Sequence, residues 1–185
     1  MLLQDLRRRT RLCHDELEKS PILMRLANPQ KLNDYTDALS AFYGFYFPIE
    51  QRYKNDHPDL DQFYSPKSQL IQNDLESFQL EISKIKLCDR LPKLPSSCHW
   101  LGLLYTLEGS AHGRKFLWPK IQKALRLQSG NIFFTNQSAN LENDWRIFCT
   151  NMENYVSDDR EKEYVIEGAI STFQSLKQWF DGFYE

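Results

Sequence analysis

Glycine is scarce in this chain: there are seven among 185 residues, and no Asn-Gly or Asp-Gly pair sits between two alternating apolar runs. Hairpins therefore lack their usual turn, and strict period-2 stretches are missing too, which argues against a sheet architecture. No apolar run approaches the roughly 20 residues that a membrane span needs. The opening MLLQDLRRRT lacks the apolar core of a secretory signal, so a cytoplasmic location is expected. Neither sign of charge dominates, with 23 Lys and Arg against 25 Asp and Glu for a net −2, which argues against a nucleic-acid footprint. The four cysteines (Cys13, Cys88, Cys98, Cys149) form no C-x-x-C pair and show no zinc-finger spacing with the four histidines. Free, mostly buried thiols in a reducing compartment are the expectation.

What is present is helical periodicity. Apolar residues recur at spacings of three and four, and 185 residues suffice for one domain that buries a core and a cofactor. The spacing predicts an all-α fold of six to eight helices. The first runs from about Leu3 to Lys19, with Leu3, Leu6, Cys13 and Leu17 along one face. Ser20-Pro21 reads as a cap and first position of a short helix to Ala27. A third covers roughly Gln30 to Asn55, carries the aromatic cluster AFYGFYFPIE, and should kink at Pro48. Ser65-Pro66 reads as the start of a helix to Phe78, and Ser96 or Ser97 caps a long helix ending near Leu125. Helices near Leu141–Val156 and Asp159–Phe183 follow, with loops around Ser129–Ser138 and Ser157–Asp158. Tyr43, Phe45, Tyr46 and Phe47 are read as core, and the acidic run DDREKE as a solvated helix start.

Two constellations carry chemistry. Gly109 and Gly113 stack on one face of the long helix, and each costs about 1 kcal/mol against alanine in a helix interior. A stripe without Cβ atoms lets backbone approach something flat, either another helix or a planar cofactor. On the first helix, His14 and Glu18 are one turn apart. A carboxylate that accepts the Nδ1 proton leaves Nε2 free to bind a metal; the plainer reading is a surface histidine in a charged helix. Arg7 shares that stripe two turns earlier, where a cation suits an acidic group on the ligand.

Together these segments resemble the haem oxygenase family, most closely the bacterial type found beside bacteriophytochromes. The carrying stretches are LRRRTRLCHDELE (6–18), FYGFYFPIE (42–50), LGLLYTLEGSAHG (101–113) and VIEGAISTFQSLKQWF (165–180). The resemblance implies a single-domain helical bundle with haem (iron protoporphyrin IX) between the first helix and a kinked distal helix. It implies His14 as the iron ligand and Glu18 as its partner, and Gly109, Ser110 and Gly113 as the distal residues against the haem and bound oxygen. Tyr105, His112 and Phe173 are implied as pocket contacts, and Arg7, Arg11 and Arg146 as candidates for the propionates.

The implied reaction is cleavage of haem by O2 and a reductant to biliverdin, carbon monoxide and ferrous iron. No flavin or iron–sulfur motif is present, so an external ferredoxin or reductase is expected, with Arg7, Arg8, Arg9 and Arg11 as its candidate docking patch. A bacteriophytochrome is a candidate acceptor for the product. Three departures bear on this. Ser110 stands where mammalian-type enzymes have an aspartate, and Arg114 follows Gly113 where bacterial relatives commonly repeat glycine. An ungapped alignment puts the family's basic pair on Trp145 and Cys149. Arg114 should face away from the haem, and His112 is either an edge or solvent residue or else a second haem contact or a donor to distal water. The competing readings are a haem-binding or sensing protein on the same fold with catalysis lost, and a helical adaptor without haem.

Overall fold

In the computed structural model, residues 2–136 and 140–184 are described. They form eight α-helices: α1 (Leu2–Glu18), α2 (Pro21–Ala27), α3 (Leu32–Asp56), α4 (Ser68–Ser77), α5 (Ser97–Leu125), α6 (Ile132–Thr135), α7 (Leu141–Tyr155) and α8 (Asp159–Asp181). Strands are absent among the described residues, as the scarcity of turn glycines predicts.

The long helix α5 runs through the centre. Its first half is buried almost all round, from Cys98 to Leu107, and its most extensive packing is against α8. That contact is backbone to backbone. A Cβ on Gly102 would meet the Val165 carbonyl oxygen at 2.0 Å, and one on Gly168 would meet the His99 carbonyl oxygen at 2.1 Å. The glycines therefore set how closely the two axes approach. Helix α1 lies along α8 and buries Leu2, Leu6 and Thr10, with the Thr10 hydroxyl donating to the Leu6 carbonyl at 2.7 Å. Helix α8 starts where its acidic run predicts: the Asp158 carboxylate accepts from the Glu161 N–H at 2.8 Å.

Helix α3 contributes the aromatic core. Tyr43, Phe45 and Tyr46 are buried, and Phe47 stacks on Tyr43 with centroids 5.3 Å apart. The helix continues through Pro48. Of the thiols, Cys88, Cys98 and Cys149 are buried and Cys13 is partly so.

Three expectations are corrected. The helix expected from Ser65-Pro66 begins at Ser68, preceded by a 3-10 turn over Pro58–Phe63. Its start is fixed from outside by the buried Glu50 carboxylate of α3. That group accepts from the Lys67 N–H at 2.7 Å, the Ser68 N–H at 3.1 Å and the Tyr64 hydroxyl at 2.5 Å. Likewise, the loop expected over Ser129–Ser138 contains the single turn α6, although residues 137 and 138 lie outside the described ones. The buried Asp74 of α4 accepts from the Ile132 and Phe133 N–H groups at 2.7 and 2.8 Å, which stabilises a turn too short to form alone. Ser20 and Pro21 occupy the N-cap and first turn of α2 as expected, but the Ser20 hydroxyl makes no capping bond and donates to the Leu17 carbonyl.

Replacing Gly102 or Gly168 by alanine should force α5 and α8 apart and cost about 4 kcal/mol or more, a large share of a typical domain's stability. Urea unfolding measures this; a midpoint unchanged in both variants would show that the crossing is not close-packed.

Candidate functional site

The candidate site residues sit on α1, α5, α7 and α8. His14 projects from α1 and is about half exposed. Its Nδ1 lies 3.7 Å from Glu18 Oε1 and 4.0 Å from Asp15 Oδ1. The edge of its ring meets Phe173 of α8, with centroids 5.8 Å apart and planes at 68°. The imidazole is thus oriented on one nitrogen by carboxylates and on its flank by an aromatic ring, which leaves Nε2 without a hydrogen-bond partner among the described residues. Phe173 also lines a groove of about 620 Å³ between α1 and α8, together with Cys13, Glu16 and Lys177.

The glycine stripe of α5 differs from the Gly102–Gly168 crossing. Beyond Gly113 a Cβ would meet nothing within 4 Å. Beyond Gly109 it would meet only the Trp145 indole, at 3.4 Å. No helix backbone covers this face, so helix–helix packing does not account for the two glycines. Trp145 is the residue that sequence reasoning undervalued: it marked only a missing basic side chain there. In the fold its indole stacks on Phe148 (5.4 Å) and tilts against Tyr105 (5.4 Å), with His112 edge-on at 5.7 Å. The three-residue spacing of Trp145 and Phe148 on α7 was the available signal for such a pair.

Arg7 faces the same region. Burial pushes the Tyr105 hydroxyl up and the Cys149 thiol to about 11, and the Arg7 guanidinium opposes both shifts. Arg7, Tyr105 and Cys149 therefore bring α1, α5 and α7 together. Arg11 is largely exposed and pairs loosely with Asp15 at 3.9 Å. Arg146 is exposed and bonds to Asn143 of its own helix at 2.7 Å. The arginines of α1 form only a partial basic patch, because Arg8 pairs with Asp5 at 2.8 Å and Arg9 with Glu163 at 2.6 Å.

His112 Nδ1 lies 3.6 Å from Glu142, while its Nε2 is buried and has no hydrogen-bond partner among the described residues. Ser110 accepts from Arg114 Nη1 at 2.7 Å, donates to the Leu107 carbonyl at 2.6 Å and lies 3.2 Å from the Tyr46 hydroxyl. Arg114 is buried rather than turned to solvent, with its guanidinium 4.5 Å from the centre of the Phe133 ring.

These features suit a flat cofactor with one axial nitrogen ligand. An imidazole nitrogen is unengaged, a helix face is free of Cβ atoms, aromatic rings flank it and a buried ring nitrogen lacks a partner. A family model described as "Heme oxygenase" matches residues 1–182. Among solved structures, the heme oxygenase of Leptospira interrogans is similar, with 18% identity and a TM-score of 0.76 over 97% of this chain and 98% of that one. No curated protein matches significantly. The chain belongs to the haem oxygenase family and is an enzyme that degrades haem. None of the described helices is long and apolar enough to cross a membrane.

Alanine at Gly109 or Gly113 adds a methyl in ordinary contact or in open space. Each change should raise the stability of the haem-free protein by about 0.5–1 kcal/mol through helix propensity, while weakening haemin binding. Paired urea unfolding and haemin titration check this; unchanged haemin affinity in both variants would remove the stripe from the site.

Proposed function

We propose that haem is held with His14 on one face and the Gly109–Gly113 backbone on the other. The observation that carries this reading is the glycine face of α5, open at Gly113 and met at Gly109 only by the Trp145 indole, with no helix backbone against it. When bound, haem supplies both the iron at which O2 is activated and the ring that is cleaved, to biliverdin, carbon monoxide and ferrous iron.

The chain's own residues then have separable tasks. Glu18, whose carboxylate lies 3.7 Å from His14 Nδ1, is placed to take up the Nδ1 proton's hydrogen bond on a small closure and so present the Nε2 lone pair. A neutral imidazole holds the metal without the electron push of a thiolate. Phe173 restricts the ring's rotation. Gly109 and Gly113 let backbone lie close to the ring plane, and Tyr105 and Trp145 wall one side and exclude water. Ser110 belongs to the distal hydrogen-bond network, and His112 Nε2 is a further polar atom available there. Arg7 has the position to meet a propionate, with Arg11 further along the same helix; Arg146, on its exposed face, is the more distant candidate.

Electrons come from a separate protein in this reading, a ferredoxin or a reductase, because the sequence carries no redox motif of its own. A cytoplasmic location belongs to the same reading, and the resemblance to the bacteriophytochrome-associated type supports a phytochrome as acceptor of biliverdin.

His14→Ala should abolish the His-ligated Soret spectrum and ring opening in haemin titration followed by ascorbate turnover. Glu18→Gln should reduce haem affinity or turnover by about 10–100-fold. A Soret band and turnover unaltered in His14→Ala would end the assignment.

A further inference from the structure

Arg114 has a buried charge and few partners. It is 5% exposed, one of its nitrogens donates to Ser110, and its Nε is buried with no hydrogen-bond partner among the described residues. The carboxylates that share the surroundings of Tyr46 with Arg114 are engaged elsewhere, Glu108 with Lys67 at 2.9 Å, and Glu50 with Tyr64 and the backbone of Lys67 and Ser68. A guanidinium carries five N–H donors. Resting one face on Phe133 offsets part of its burial but satisfies none of those donors. A buried cation left in this state is destabilising in a chain without its ligand.

The polarity of the cluster can be worked out. A hydroxyl has one proton, and that of Ser110 goes to the Leu107 carbonyl at 2.6 Å. Toward Arg114 and Tyr46, Ser110 therefore only accepts, so the Tyr46 hydroxyl is the donor at 3.2 Å. Ser110 has no proton left to offer a ligand. An unspent donor is the buried Nε of Arg114, which follows Gly113 in the chain and lies on the Ser110 and Phe133 side of α5.

We propose that Arg114 is the hydrogen-bond donor and fixed positive charge for an anionic ligand on the distal side of bound haem, and that Ser110 positions it as an acceptor. This rests on the haem site proposed above.

The probe is fluoride, an anion that only accepts hydrogen bonds, with neutral imidazole as the control ligand for the ferric haem complex. Affinities are read from absorption spectra, and urea unfolding is followed in the haem-free protein. Arg114→Met and Arg114→Gln should each weaken fluoride by about tenfold or more, as expected for a lost charge-assisted bond, and leave imidazole affinity unchanged. Arg114→Lys should keep most of the fluoride affinity. Haem-free Arg114→Met should unfold at the same urea concentration as wild type or higher, because an unpaired buried charge has been removed. Fluoride affinity unaltered in the neutral variants would overturn the proposal. So would a lower urea midpoint in both with fluoride unaltered, which would make the guanidinium a prop for Phe133. If the wild-type protein takes up no haemin, the haem site itself fails, and the urea comparison still decides whether the buried charge is structural.

Discussion

The close crossing of α5 and α8 is the constraint on which the rest of the fold depends. At Gly102 and Gly168 the two backbones touch, and any side chain would push them apart. The contact fixes the height and tilt of α5. It thereby fixes where Gly109 and Gly113 emerge, about two and three turns further along. Helix α1 packs on the same α8, so His14 is positioned relative to that stripe through a shared neighbour. Phe173 expresses this directly, since the helix that carries Gly168 also supplies the ring against His14.

A second layer of order comes from buried carboxylates used as caps. Glu50 and Asp74 each collect backbone N–H groups from a segment distant in sequence. Burial raises the pKa of Asp74, and the bonds from Ile132 and Phe133 oppose that shift. These anchors hold α4 and α6 against the aromatic core of α3. Phe133, seated by Asp74, is in turn the surface on which Arg114 rests. The side of the proposed site that carries Ser110 and Arg114 is therefore tied to the core by packing and hydrogen bonds rather than suspended on a loop.

Much of this was legible in the sequence because it is local. The i, i+4 pair of His14 and Glu18 needs only a helix to bring it together, and the structure places the carboxylate 3.7 Å from Nδ1. The start of α8 follows from Asp158 and Glu161, and the aromatic run of α3 is buried as its spacing implied. The errors concern partners from elsewhere. Ser65-Pro66 looked like a helix start because nothing nearby announced Glu50, fifteen residues earlier, as the true acceptor. The turn α6 was missed because its cap, Asp74, lies on another helix.

By itself the sequence determined the helical class, the approximate helix positions, the metal-competent imidazole and the presence of a Cβ-free stripe. Tertiary structure alone decided which glycines join helices and which leave a face open: Gly102 and Gly168 do the first, Gly109 and Gly113 the second. It also turned Trp145 toward Gly109 and buried Arg114 beside Ser110. The physical reason is that periodicity specifies which residues share a face. What that face meets depends on helix crossings set by residues far away in the chain.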